Sequence, residues 1–226
     1  MRFKDVFSII GPSMVGPSSS HTAGAVRIGR TARQLFGRQP AEVEIVLYKS
    51  FSSTYRGHGT DCALAAGLLN YGTDDARIRN AVQLAEEAGL SIAFHDGGDV
   101  AAHPNSVLIK LRDERQEDVL KASSIGGGNI EITGINEFDV KATMEFPTLV
   151  VFHEDRPGVL GEVTGLLGDF QVNIGYMEVD RKSRRGEALS VIELDDRIED
   201  GMLYELRQLS AIRRVAVIHL TTGGSI

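Results

Sequence analysis

The amino-acid sequence predicts an α+β chain built as two domains, a mixed α/β domain over residues 1–145 and a ferredoxin-like βαββαβ domain over residues 147–222. Three observations carry this. In the first part, segments whose apolar residues recur at helical spacing are interspersed with segments that alternate apolar and polar side chains. At Glu145-Phe146-Pro147 the pattern stops and begins again. Beyond it the order is strand, helix, strand, strand, helix, strand, which is the split arrangement of two helices on one face of a four-stranded antiparallel sheet. A length of 226 residues suffices for two modest domains, each self-contained with its own core.

Taken along the chain, Ala25, Ile28, Ala32, Leu35 and Phe36 share one helical face, and Gly37 ends that helix; Arg27, Arg30 and Arg33 fall largely off the face and read as solvated. From Glu42 to Tyr48, Val43, Ile45 and Leu47 alternate with their neighbours as in a half-buried strand. Thr60 or Asp61 caps an apolar helical segment from Cys62 to Leu69. Residues 77–88 predict a helix with Ile78, Val82, Leu84 and Ala85 inward and Gly89 as its stop. Residues 91–95 and 106–112 predict strands, and 119–124 with 130–133 a hairpin around Gly126-Gly127-Gly128. That triple glycine is no phosphate loop, because neither a Lys-Ser pair nor a helix follows it. In the second domain, residues 148–153 predict a strand, and Asp155-Arg156-Pro157-Gly158 turns into a helix carrying Val159, Leu160, Val163, Leu166 and Leu167. Strands over 172–180 and 188–194 flank the charged tip 181–186, followed by a helix over 200–209 and a strand over 213–220.

Bulk properties exclude several classes of function. A net charge of -7 argues against a nucleic-acid partner, which needs a basic face. No apolar run reaches the length of a membrane span, and Met1-Arg2-Phe3-Lys4-Asp5 lacks the apolar core of a signal peptide, so the expected location is cytoplasmic. Cys62 is the single cysteine, which rules out an internal disulfide and a cysteine-ligated iron-sulfur cluster held by this chain alone. Among alanines and leucines, it reads as a small buried hydrophobe. No metal ligands are assigned to this chain.

Two clusters carry chemistry. Gly16-Pro17-Ser18-Ser19-Ser20-His21-Thr22-Ala23-Gly24 gathers hydroxyls, a histidine and glycines just before a helix, more than a single N-cap requires. Such a turn can hold an anion beside a group that exchanges a proton near neutral pH. Ser50-Phe51-Ser52-Ser53-Thr54-Tyr55-Arg56-Gly57-His58-Gly59-Thr60-Asp61 repeats the design of hydroxyls, glycine, histidine and helix start. His21 and His58 are therefore the candidate proton carriers, with Ser18, Ser19, Ser20 and Thr22 as candidate anchors for a substrate carboxylate. His103, in a polar loop with Pro104 and Asn105, is a weaker candidate; His95 and His219 end apolar strands and read as structural.

The strings GPSSSHTAG, SFSSTYRGHGTD, HPNSV (residues 103–107) and SIGGGNIEITGIN (residues 124–136), in this order, resemble the beta chain of the bacterial iron-sulfur-dependent L-serine dehydratase. The resemblance runs through the whole chain. It implies an L-serine ammonia-lyase active only with a separate alpha chain, which supplies the ligands of a 4Fe-4S cluster. It also implies a first domain similar to the substrate-binding domain of some phosphoglycerate dehydrogenases. The turn DRPGVL with Asn173-Ile174 resembles an ACT domain. ACT domains commonly pair and bind amino acids between the first loop-helix and a neighbour's strand, which would place Asp155, Arg156, Gly158 and Asn173 at an effector site, with His153 at its mouth. Three readings follow: a catalytic subunit completed by a cysteine-rich partner, a non-catalytic amino-acid-binding regulatory subunit, and a small-anion-binding protein.

Overall fold

The computed structural model describes residues 13–101 and 103–220. The ends of both predicted domains, residues 1–12 and 221–222, and with them the segment Met1 to Asp5, lie outside the described residues. Ten strands form two sheets. The first has the order β2-β1-β3-β4-β5-β6, with β1 (Glu42–Leu47), β2 (Ser91–Asp96), β3 (Ser106–Arg112), β4 (Glu117–Gly126), β5 (Asn129–Ile135) and β6 (Phe138–Ala142). Only the β1–β2 pair is parallel. Its crossover contains α2 (Ser50–Thr54), α3 (Thr60–Leu68), a 3₁₀ turn (Ala76–Asn80) and α4 (Ala81–Glu87). The helix expected over 77–88 is thus split in two, α2 stands where the sequence read as loop, and β6 is a strand the local pattern did not reveal.

The helix α1 (Ala25–Phe36) packs against α3, and two glycines set the distance. A Cβ on Gly29 would strike the carbonyl of Leu64, and one on Gly67 the carbonyl of Val26, so backbone lies on backbone at this crossing. His21 and His58 meet before the two helices begin, and Gln34, in the last turn of α1, reaches Asn70 just past the end of α3. The helices therefore run side by side in the same direction, and the residues leading into them are brought together.

The second sheet has the order β10-β7-β9-β8, from β7 (Thr148–Glu154), β8 (Ile174–Arg181), β9 (Glu187–Leu194) and β10 (Ile212–Ile218), all antiparallel. Helices α5 (Val159–Asp169) and α6 (Asp200–Gln208) cover one face, where Leu149, Val151, Ile192 and Leu194 meet Val163, Leu167, Met202 and Leu206. The α+β class and the βαββαβ order are those read from the sequence.

The opposite face of this sheet corrects the expectation of two self-contained cores. Val150, Leu189, Val191, Ala216 and Ile218 belong to the same apolar cluster as α1 and the first sheet. A strand buried on both faces reads as a continuous apolar run, which is why β7 and β9 show little alternation. Arg27, Arg30 and Arg33 are corrected for the same reason. Instead of forming a solvated face, Arg27 donates to the Gly128 carbonyl and Arg30 to that of Leu220, beyond β10, and burial lowers the pKa of all three.

The seam between the sheets is polar where it is not apolar. Asp118, 1% exposed, accepts from Arg214 at 2.7 Å through each oxygen, and from Gln116 and Asn136. The Arg214 guanidinium lies 4.1 Å from the centre of the Phe152 ring. The outer amides of β6, Asp139 N–H and Lys141 N–H, donate to the carboxylates of Asp180 and Glu178 on β8, so that this sheet edge is capped by side chains. Among the described residues, no helix is long and apolar enough to cross a membrane.

Candidate functional site

Ser18 holds an extended backbone and its Oγ accepts the His21 N–H at 3.2 Å, opening a π-helical turn, Ser19–Gly24, that leads into α1. The turn buries His21 to 8% exposure. Its Nδ1 lies 3.0 Å from Ser20 Oγ and 3.4 Å from Ser18 Oγ, and its Nε2 lies 3.3 Å from Ser50 Oγ at the start of α2. Three hydroxyls thus surround one imidazole, and the Phe51 ring meets its edge at 5.3 Å. Burial lowers the His21 pKa, and the neighbouring His58 lowers it further, against a smaller opposing effect from a Ser50 backbone hydrogen bond. His21 is therefore neutral at neutral pH, able to accept a proton.

His58 follows α2 in a turn closed by its own N–H to the Thr54 carbonyl at 3.0 Å. Gly59, at φ 69°, takes the left-handed conformation that lets the chain turn into α3. The His58 ring stands edge-on to His21 with centroids 4.9 Å apart and planes at 89°. His58 is exposed and lines an open cleft of about 620 Å³, together with Gly16, Thr22, Arg56, Cys62 and Arg79.

Of the four candidate carboxylate anchors, only Thr22 lines this cleft. The hydroxyls of Ser18 and Ser20 are engaged with His21, and Ser19 is not among the cleft's residues. Thr22 is 2% exposed, and its Oγ1 has no hydrogen-bond partner. Below the turn, the buried Ser124 Oγ is likewise unpartnered, and a Cβ on Gly24 would collide with it. Sequence reasoning missed Arg56 and Arg79. Arg56 adjoins the Gly-His-Gly turn and could have been found there; Arg79 arrives through tertiary packing and left no local signal.

The remaining histidines lie elsewhere. His103 Nδ1 accepts the Asn105 N–H at 3.2 Å, and the next carbonyl, that of Pro104, accepts from Ser50 N–H at 3.0 Å, so this loop braces α2. His153 is buried at the seam, with Nδ1 bonded to the Glu154 carbonyl at 2.9 Å and Nε2 to Ser190 Oγ at 2.8 Å. His95 is exposed on the edge strand β2. His219 N–H donates to Gln34 Oε1 at 2.8 Å, and burial lowers its pKa, as do Arg197 and Arg30.

The four candidate effector residues do not form one site within a single chain. Asp155 accepts from the Arg185 N–H at 3.1 Å, Arg156 pairs with Glu162 at 3.2 Å, and Gly158, at φ 94°, opens α5. Asn173 donates to Asp195 at 2.6 Å and precedes Ile174, which pairs with Leu194 at the Thr148 end of the sheet. A strand length, about 20 Å, separates it from the Asp155 turn.

Nor do the side chains suit an iron-sulfur cluster. Cys62 is half-buried, its thiol approaches the Arg79 carbonyl at 3.6 Å, and burial followed by the Asp61 charge pushes its pKa up, against thiolate formation. Among the described residues no group of three or more His, Cys, Asp or Glu is placed to hold a metal ion.

Comparison with known proteins matches two families to the chain. Residues 3–91 match the family described as serine dehydratase beta chain, and residues 147–211 match the ACT domain. The chain is 47% identical to a probable L-serine dehydratase beta chain of Bacillus subtilis, across 96% of this chain and 99% of that one. It is 36% identical to the L-serine dehydratase beta chain of Peptoniphilus asaccharolyticus, across 87% and 89% respectively. A D-3-phosphoglycerate dehydrogenase of Synechocystis is 28% identical across 87% of this chain, which corresponds to 36% of the dehydrogenase.

Proposed function

The chain belongs to the family of L-serine dehydratase beta chains, and on that footing we propose that it forms one half of an L-serine ammonia-lyase, converting L-serine to pyruvate and ammonia together with an alpha chain. The observation that carries this reading is the meeting of His21 and His58, 37 residues apart in sequence, at 4.9 Å beside an open cleft. Dehydration requires loss of the Cα proton and departure of the Cβ hydroxyl, leaving aminoacrylate, which in water becomes pyruvate and ammonia. The first task needs a positioned base. His58 faces the cleft and exchanges the proton with substrate. Neutral His21, fixed by Ser18, Ser20 and Ser50, holds the His58 ring edge-on and keeps an accepting nitrogen behind it.

The second task calls for a Lewis acid on the hydroxyl. With one cysteine in the chain and, among the described residues, no group placed to hold a metal ion, the 4Fe-4S cluster that the family resemblance implies would take its ligands from the alpha chain, and no step on this chain passes through it. In the ACT domain, the exposed α5–α6 layer, with Leu160 and Tyr204 at its surface, supports self-association. A second copy would bring Asn173 of one chain to the Asp155–Gly158 turn of another.

A regulatory, purely amino-acid-binding role is the second reading. The similarity to phosphoglycerate dehydrogenases favours it, because nearly the whole chain has a counterpart in a protein named for a different reaction. Anaerobic reconstitution separates the two. The chain alone should make no pyruvate from L-serine, and the pair of chains should. In the pair, His58→Ala should lower kcat about a hundredfold or more with assembly and cluster content unchanged. A near-normal kcat would return His58 to a binding role.

A further inference from the structure

Resting on the reading that this cleft receives an amino acid, we propose that Arg56 and Arg79 recognise the substrate carboxylate, with the Thr22 hydroxyl as their neutral partner. The chain carries 31 acidic against 24 basic side chains, yet among the described residues no aspartate or glutamate lines the cleft. Two arginines, a histidine and a threonine line it, a set that favours an anion. Neither arginine has a carboxylate partner among the described residues. The contrast with Arg77, two residues before Arg79, is informative: Arg77 is bound to Asp75 at 2.6 Å and lies 3.8 Å from the centre of the Tyr71 ring.

The Arg56 guanidinium is held in place without being neutralised, and the backbone of Arg79 is anchored at the cleft while its side chain stays exposed. Arg56 lies over the Tyr55 ring at 5.4 Å, and that ring stacks on Phe94. The Arg79 carbonyl receives the Cys62 thiol, which seats the 3₁₀ turn against α3. Thr22 adds the independent sign of a ligand, an almost fully buried hydroxyl at the cleft with nothing to bond. Of the serines expected to serve as anchors, Ser18 and Ser20 are occupied by His21 and Ser19 is not among the cleft's residues, so the charge that fixes an amino acid comes from elsewhere, and the planar guanidinium matches the two oxygens of a carboxylate.

Two measurements test this. In the assembled two-chain enzyme, Arg56→Gln and Arg79→Gln should each raise KM for L-serine about tenfold or more, with the change falling on KM rather than kcat, and Arg79→Lys should recover part of the loss. In the full chain alone, the His58 ring resonances should move on titration with L-serine and stay still with serinol, in which a hydroxymethyl group replaces the carboxylate. The double variant should abolish the L-serine response. Wild-type KM in both single variants overturns the assignment, as does an equal response to serine and serinol or no response to L-serine. If the assembled wild-type chains make no pyruvate, the dehydratase reading falls, and the serine–serinol comparison still decides carboxylate recognition on its own.

Discussion

The cleft before His58 and the cleft at the seam between the sheets are both lined by arginines and a histidine, and they differ in how their polar groups are satisfied. At the seam, a space of about 390 Å³, Arg214 has Asp118, Arg213 has Glu154, Lys182 has Glu137 and Glu187, and both nitrogens of His153 are bonded, while Arg115, exposed at the rim, is the one guanidinium of the lining without a carboxylate partner among the described residues. Before His58, two arginines have no carboxylate partner among the described residues, and the Thr22 hydroxyl is buried without a partner. A cleft whose buried polar groups are all bonded serves the fold; one that leaves a buried group without a partner retains binding capacity at a cost in stability. The seam therefore holds the two sheets together, and the His58 cleft is the one with a buried group left for a ligand, as the proposed function requires.

The largest expected effect breaks the seam. Asp118→Asn keeps the shape but removes the charge facing Arg214. Stability of the chain to denaturant should fall by about 3 kcal/mol, the lower end for a broken buried pair, because Arg214 keeps 27% of its side chain exposed. Assembled enzyme that remains folded should retain its KM and kcat. Loss of activity at full stability would place the seam, rather than the His58 cleft, in the reaction.

Exchanging the roles of two buried histidines sharpens the same contrast. His21→Ala should lower kcat about a hundredfold, whereas His153→Ala should leave kcat within twofold and reduce stability by about 2 kcal/mol, since it strands the buried Ser190 hydroxyl. Their pH behaviour follows from burial. The folded pKa of His21 is below its unfolded value of about 6.5, so on acidification the unfolded chain takes up this proton first. The stability that neutral His21 contributes is complete above pH about 6.5 and is lost as pH falls toward and through the lower folded value. His219 is shifted in the same direction, so the comparison is between wild type and His21→Gln, and the variant should show the shallower acid slope in unfolding titrations. An identical slope would mean that His21 titrates as if exposed.

What the sequence disclosed and what it concealed divide along the same physical line. Helix α1 and the strands of the second sheet were legible because their apolar spacing is local. His21 and His58 were legible as a pair because each leads into a helix. Their separation was not, since it depends on Gly29 and Gly67 allowing backbone contact across 38 residues. The roles of the serines were hidden because a hydroxyl that orients an imidazole and one that awaits substrate are the same residue in sequence. β6 escaped notice because its edge is completed by Asp180 and Glu178, some 40 residues later. The packing of the second domain on the first was concealed because β7 and β9 carry apolar residues on both faces, a pattern that does not say what covers the second face.

The smallest effect expected is also the most direct test of the incomplete network. Thr22→Val is nearly isosteric, preserves the β-branched shape in the turn, and removes only the hydroxyl that has no partner. A buried unsatisfied hydroxyl is a cost to the folded state, so the free chain should gain about 1 kcal/mol on this change. Ser190→Ala removes a hydroxyl of similar burial that is bonded to His153, and should lose about 1 kcal/mol, because the Nε2 of the imidazole is left without its partner. The opposite signs, read from unfolding midpoints under one buffer, separate a group kept for a ligand from one kept for the fold. The gain at Thr22 should be accompanied by weaker binding of L-serine in the assembled enzyme. If Thr22→Val destabilises the chain as Ser190→Ala does, the hydroxyl already has a partner in solution, and the cleft before His58 is as complete as the seam.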